Sequence, residues 1–303
     1  MVPNSSQSKS RNPRTKTAPA EEGTLYVIAT PIGNLEDITL RALRILKEVR
    51  LIAAEDTRRT AKLLAHYAIP TPLTSFHKHN ELKKSASLLR RLKNGDSLAL
   101  VSDAGTPLLS DPGEKLVVDV LSAGLSVQTI PGASAITAAL SVSGINTSSF
   151  VFLGFPPNRS NNREKWFYSL IEEKRTLIIF EAPHRVRATL KCVHKLFGNR
   201  PVSLCREMTK KHEDLVTGPI NRIIRDLKEP KGEYTVVIGG NTDPIKPKDI
   251  QEAKEIMQEF CYLTKDGLTS RRSAIKILAD RYSVRSKEIY NLIEKEKGLG
   301  HNT

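Results

Sequence analysis

Residues 100–113 read LVSDAGTPLLSDPG. The apolar run from Leu98 to Val101 stops abruptly, and small, turn-forming residues follow with two carboxylates, Asp103 and Asp111. A short apolar run bounded by turn residues predicts a strand buried on both faces. A loop stripped of bulk directly after it lets main-chain atoms approach a ligand at the carboxyl end of that strand.

The same alternation recurs on either side. Apolar, β-rich runs occupy residues 25–30, 51–54, 98–101 and 127–130, and helix-period patterns fall near 39–48, 57–67, 79–93 and 112–123. Such alternation predicts a mostly parallel sheet covered by helices on both faces. A small-residue helix at 133–144 reads as the close of this half. A second series has strands at 150–155, 176–180, 202–205 and 233–240 and a helix at 184–197, while 210–224 reads as an edge strand turning into a helix at Gly218-Pro219. The two prolines of 241–249 mark a boundary. Beyond it, 270–293 reads as helix, short turn at Tyr282–Val284, and helix, with Ala274, Ile275, Leu278, Val284, Ile289 and Ile293 at helical spacing. The organisation expected is a disordered basic tail (1–22), an α/β domain (23–144), a second α/β domain (150–240) and a helix-turn-helix-like module (245–298).

Lys and Arg exceed Asp and Glu by 14 over 303 residues. That excess points to a polyanionic partner, nucleic acid before membrane. It is also patterned. Residues 58–93 carry nine Lys/Arg and one acid, and residues 184–211 carry eight and one. Acid-free stretches of this kind suit a surface that follows a phosphate backbone. Arg58, Arg59, Arg185, Arg271 and Arg272 are the expected RNA contacts. Aromatic residues make up only 5% of the chain, so base stacking is not the main source of affinity. No apolar run approaches the ~18 residues that span a bilayer. The three cysteines show no C-x-x-C spacing and fit a reduced, cytoplasmic protein.

Four loops after strands share one composition: 30–34 (TPIGN), 102–113, 131–135 (PGASA) and 180–184 (FEAPH). Singly, each reads as a tight turn. Together they read as the walls of a ligand cleft. Neither a P-loop nor a G-x-G-x-x-G fingerprint is present. PGASA is a weak match to a nucleophile elbow around Ser134, with Ala135 in place of the closing Gly.

GTLYVIATPIGNLEDIT, AEDTRRT, SFHKHNE, LVSDAGTPLLSDPG, IPGASAITAALSVSG, FLGFPP and FEAPHR, in this order, resemble the ribosomal RNA small subunit methyltransferase I family. The resemblance runs from about Gly23 to Gly240 and implies two α/β domains of the tetrapyrrole-methylase type. It places an S-adenosylmethionine cleft between them, a small C-terminal helical module behind, and usually a homodimer. It further implies 2′-O-methylation of a cytidine in the decoding centre of small-subunit ribosomal RNA. Carried over by motif, the cofactor contacts are Pro31, Gly33, Asp103, Ala104, Gly105, Thr106, Leu109, Ser134, Ala135, Glu181 and Met208. The sequence departs from the wider fold at Thr106, which stands where an acid precedes the proline.

Methyl transfer from a sulfonium is an in-line displacement, favoured by alignment and an apolar surround. A ribose hydroxyl also needs a proton acceptor. The candidates are Glu55 and Asp56 after the strand at 51–54, and His77 and Glu81 in SFHKHNE. Asp56 also stands where a helix N-cap belongs. His77 and His79 lack the further ligands a metal site requires, so no metal is assigned. Two other readings remain: the same fold with a tetrapyrrole or protein acceptor, and a non-catalytic RNA-binding assembly factor.

Overall fold

The computed structural model describes residues 22–241, 253–265, 269–282 and 284–299. The tail and nearly all of the Pro-containing linker lie outside these residues. The chain divides into two compact units, at Asn241/Thr242.

In the first unit, β1 (Leu25–Ile28), α1 (Leu40–Glu48), β2 (Leu51–Ala54), α2 (Thr57–His66), β3 (Leu73–Ser75), α3 (Glu81–Lys93), β4 (Leu98–Val101), α4 (Glu114–Ser122), β5 (Val127–Ile130) and α5 (Ala135–Val142) follow in order. Among the described residues, the five strands form one parallel sheet in the order β3-β2-β4-β1-β5. β4 is central, and its side chains alternate between two cores. Ala99 and Val101 pack with Ala42, Ile45 and Leu46 of α1. Leu98 and Leu100 pack with Leu88 and Leu92 of α3 and Leu116 and Val120 of α4. The period-2 geometry of a strand and the 3.6-residue period of the helices meet on each face.

The same unit continues with β6 (Phe150–Phe152), α6 (Ser160–Tyr168), β7 (Thr176–Glu181), α7 (Pro183–Phe197), β8 (Pro201–Arg206), β9 (Asp214–Pro219), α8 (Ile220–Asp226) and β10 (Tyr234–Ile238). These strands form a mixed sheet, β6-β7-β10-β8-β9. β6 and β7 are parallel, whereas β10 runs antiparallel to both β7 and β8. The carboxyl ends of β7 and β8 therefore share an edge with the start of β10. One face of this sheet packs on Val186, Leu190 and Val193 of α7.

The other face supplies a correction. The small-residue helix does not close the first half. Ile136, Ala139 and Leu140 of α5 join Ile178, Cys205 and Val237 in one buried cluster, so α5 covers the second sheet. Its small residues let the helix lie close to the strands.

In the first unit β3 and α6 escape the sequence reading, and in the second the helix at Ala253–Thr264 does. β3 is three residues long, and none of them is fully buried. α6 has no apolar stripe; its buried residues are Arg163 and Phe167. Periodicity detects neither.

In the second unit, α9 (Ala253–Thr264), α10 (Arg271–Tyr282) and α11 (Ser286–Leu299) surround Ile256, Phe260, Ala274, Ile275, Leu278, Tyr282, Ile289 and Ile293. The α10–α11 break falls where the sequence places the turn. No helix among the described residues is long and apolar enough to cross a membrane.

Ala139 has no exposed surface. Ala139→Leu should overfill the space between α5 and the second sheet and cost ~1–3 kcal/mol. Urea unfolding of the full chain measures it.

Candidate active site

A cavity of about 410 Å³ opens beyond the carboxyl ends of both sheets. The first sheet contributes Ile32 after β1, Glu55 and Arg59 after β2, residues 103–106 and 109–111 after β4, and Ser134, Ala135 and Ile136 at the start of α5. From the second sheet come Phe155, Phe180, Glu181, Ala182 and Pro183, then Cys205, Glu207, Met208 and Lys210, and finally Glu233, Tyr234 and Thr235. The last three face the cavity because antiparallel pairing sets Tyr234 opposite Glu181 and Arg206.

Gly105 carries the geometry of the central loop. Its φ is +79°, a region that favours glycine. Its N–H donates to the Thr30 carbonyl at 2.9 Å, and its carbonyl accepts from the Thr30 N–H at 2.9 Å. Both backbone groups are thus engaged in a bridge between the 30–34 and 102–113 loops. What Gly105 offers the cavity is the absence of a side chain. Ser134 is the residue before α5, and its side chain makes no capping hydrogen bond to the helix. The positive end of α5 lies at the wall formed by Ser134, Ala135 and Ile136. No histidine among the described residues lines the cavity, so a Ser–His pair is not formed at Ser134.

Of the expected cofactor contacts, Asp103, Ala104, Gly105, Thr106, Leu109, Ser134, Ala135, Glu181 and Met208 meet on the cavity. Pro31 and Gly33 do not. A Cβ on Gly33 would stand 2.5 Å from Lys210 Cγ and 3.0 Å from the Met208 carbonyl oxygen. Gly33 serves the close packing of the first loop on residues 208–210, and the Asn34 N–H donates to Thr209 Oγ1 at 3.0 Å beside it.

Glu181 is present, but the fold engages its carboxylate. Oε1 accepts from the Ala182 N–H at 2.8 Å and faces Arg185 Nη2 at 2.6 Å; Oε2 accepts from Thr189 Oγ1 at 2.6 Å. Arg185 is therefore corrected from an RNA contact to a structural residue. Its side chain is 13% exposed, and it also donates to Asn158 Oδ1 and to the Pro156 carbonyl. Arg58 is exposed and pairs with Asp56, whereas Arg59 reaches the cavity 3.6 Å from Asp103. In the second unit Arg271 pairs with Glu294 and lies over the Tyr290 ring, and Arg272 is exposed.

The expected proton acceptors separate in the same way. Asp56 caps α2: Oδ1 accepts from the Arg58 N–H at 2.9 Å. Arg58 Nε and Nη2 also donate to it, at 3.0 and 2.6 Å. The Arg58 side chain, then its N–H, holds this carboxyl far below the ordinary range. That makes it a poor base, and it does not line the cavity. Glu81 Oε1 accepts from the Gly113 N–H at 3.1 Å. His77 lies within 3.2 Å of Asn80 Nδ2 through Nε2 and, like Glu81, is absent from the cavity wall. Glu55 alone of the four reaches it.

Asp111 does as well, although no cap or helix pattern singles it out. Burial, then the charges of Glu55 and Asp103, push its carboxyl up to about 6, against a Ser102 hydrogen bond and the Lys78 charge. Lys210 is another residue that the sequence reading misses; it ties Glu207 to Glu233 at 2.8 and 2.9 Å on the cavity rim.

Removing Arg185 leaves a fully buried carboxylate without its cation. Arg185→Ala should destabilise the chain by ~3 kcal/mol. The exposed Arg58→Ala should stay within ~0.5 kcal/mol of wild type. Chemical denaturation compares the two.

The model of the tetrapyrrole (corrin/porphyrin) methylases matches residues 24–224. The ribosomal RNA small subunit methyltransferase I of Halalkalibacterium halodurans is 42% identical over 279 residues, covering 91% of this chain and 96% of the relative. The protein of the same name from a Synechocystis species is 44% identical over 273 residues, covering 89% and 97%. A uroporphyrin-III C-methyltransferase from Thermus thermophilus, solved with S-adenosylhomocysteine, shares the fold. Its TM-score is 0.52 at 19% identity, covering 72% of this chain and 97% of that one. A two-sheet fold with one cleft at its shared edge, matched over this length, leaves one assignment: the chain belongs to the tetrapyrrole methylase family and, within it, to the ribosomal RNA small subunit methyltransferase I proteins.

Proposed function

We propose that this chain is a cytoplasmic S-adenosylmethionine-dependent methyltransferase that modifies the 2′-hydroxyl of a cytidine in the decoding centre of 16S ribosomal RNA. It acts in the homodimer that the sequence resemblance implies. The observation that carries the reading is the small-residue wall at residues 104–106 and 134–135, which keeps this side of the cleft clear of bulky side chains.

The residues present suit the cofactor. A cavity of about 410 Å³ falls in the range of small-molecule sites. Ile32, Leu109, Ile136, Phe180 and Met208 give it an apolar surface, and Ala104, Gly105, Thr106, Ser134 and Ala135 leave room for a flat nucleoside. The N-terminus of α5 suits a carboxylate, and Asp103 offers an acceptor for an amine. When bound, the cofactor supplies an activated methyl on a positively charged sulfur. An apolar surround favours the loss of that charge in the transition state. The walls hold the acceptor oxygen in line with the methyl group and keep water out.

The chain as a whole carries 14 more Lys and Arg than Asp and Glu. Arg59 lies on the cavity wall and can meet phosphate, Arg58 beside it in the chain is exposed, and in the helical unit Arg272 is exposed as well. Charge of this density favours RNA over a tetrapyrrole or protein side chain.

The test is labelled methyl transfer onto small ribosomal subunits that lack the modification, with the nucleotide identified by mass spectrometry. A 2′-O-methylcytidine is expected. Label on a base, on protein or nowhere points to a different acceptor or to a non-catalytic factor. Gly105→Val should weaken cofactor binding by ~100-fold or more, equivalent to ~2.7 kcal/mol, with circular dichroism unchanged. Normal binding by calorimetry would place the donor elsewhere.

A further inference from the structure

The cavity wall carries three carboxylates from the first sheet: Glu55, Asp103 and Asp111. They are not equivalent. Asp103 Oδ1 accepts from the Asp56 N–H at 2.9 Å, and Oδ2 faces Arg59 Nη1 at 3.6 Å. Glu55 Oε2 faces the Asp103 N–H at 3.5 Å, a long contact. Asp111 is faced by Ser102, by the charges of Glu55 after β2 and Asp103 after β4, and by Lys78 after β3. It is paired with no cation among the described residues.

The loop holds Asp111 in place. Leu108 and Ser110 have φ of 72° and 78°, conformations that side chains seldom adopt. Pro112 follows and restricts Asp111 itself. Gly113 comes next at φ 130°, where a Cβ would stand 2.7 Å from Leu100 Cδ2, and its N–H is fixed on Glu81. Strain of this kind persists where surrounding contacts impose it, and it gathers at functional sites. Its result here is a half-buried carboxylate set on the wall of the cleft.

We propose that Asp111 accepts the proton of the ribose 2′-hydroxyl as that oxygen is methylated, an assignment that rests on the ribose-methylation reading above. The hydroxyl oxygen forms a bond to the methyl carbon while the carbon–sulfur bond breaks, its electron pair remaining on sulfur. The hydroxyl proton passes to an Asp111 carboxylate oxygen and then to bulk water. One bond forms to carbon, one breaks, and one proton leaves, with no further reactant.

The environment supports the role. Burial and the neighbouring acids raise the Asp111 carboxyl to about 6. At pH 7 it is mainly ionised, yet more basic than an ordinary aspartate. A proton acceptor works best with its pKa near the working pH. The Arg58 side chain pushes the Asp56 carboxyl the opposite way, and Asp56 does not line the cavity.

Asp111→Asn keeps the size of the side chain and removes the acceptor. The full-length variant should bind S-adenosylmethionine within ~3-fold of wild type by calorimetry and transfer methyl ~100-fold more slowly or worse. Wild-type kcat/KM should rise with pH through about 6, and this limb should vanish in the variant. Carbon-13 NMR of aspartate-labelled protein without cofactor should show a carboxyl titrating near 6 that the variant lacks. An active wild type matched by Asp111→Asn overturns the assignment, as does an unchanged pH limb or an Asp111 carboxyl titrating at the ordinary aspartate value. A wild type that methylates no small-subunit RNA removes the acceptor reading, and this role with it. The NMR titration is read on the wild type as well, so a poorly folding variant leaves the test decisive.

Discussion

Close packing of α5 on the second sheet is the constraint from which the site follows. Ile136, Ala139 and Leu140 meet Ile178, Cys205, Met208 and Val237 in a cluster that gathers Ile32 and Phe180 at its border. Both border residues and Met208 line the cavity. The contact that joins the two sheets is therefore continuous with the floor of the cleft. A bulkier helix would move the sheets apart and widen the site. The Gly33 approach to Lys210 and the Asn34–Thr209 hydrogen bond hold a second point of the same junction.

The fold then sorts its carboxylates by environment. Asp56, Glu81 and Glu181 each have a structural partner: a helix cap, a loop N–H and a buried ion pair. Each therefore has a fixed partner to neutralise or orient it. Asp111 stands among like charges and within partial burial, which disfavour its ionised form. The same side-chain chemistry thus yields anchors in three places and a proton acceptor in a fourth. The difference lies in the neighbours and not in the residue type.

The arginines divide along the same line. Arg185 follows directly on FEAPH and reads from sequence as a surface cation after a strand. Its first-turn position on α7 places it over Glu181, four residues earlier, where its guanidinium neutralises a carboxylate with no exposed surface. Arg59, at the same third position of α2, instead reaches the cavity. Which arginine faces solvent and which is buried depends on packing that no local pattern records.

The family resemblance supplies nine residues of the cavity wall, and the place of Glu55 and Arg59 after β2 supplies two more. Sequence alone determined the strands of both sheets except β3, the helix-turn-helix break and the ligand end of the sheets. These are legible because periodicity and turn chemistry are local. A buried strand must be apolar, and a loop that admits a ligand must be small. Tertiary structure decided the rest. It set α5 on the second sheet, brought Tyr234 and Thr235 to the cleft through antiparallel register, withdrew Pro31 and Gly33 from it, and turned Asp56 and Arg185 into structural residues. Each of these outcomes depends on which distant atoms lie within a few ångströms, and distance between remote residues is fixed only when the sheets pack.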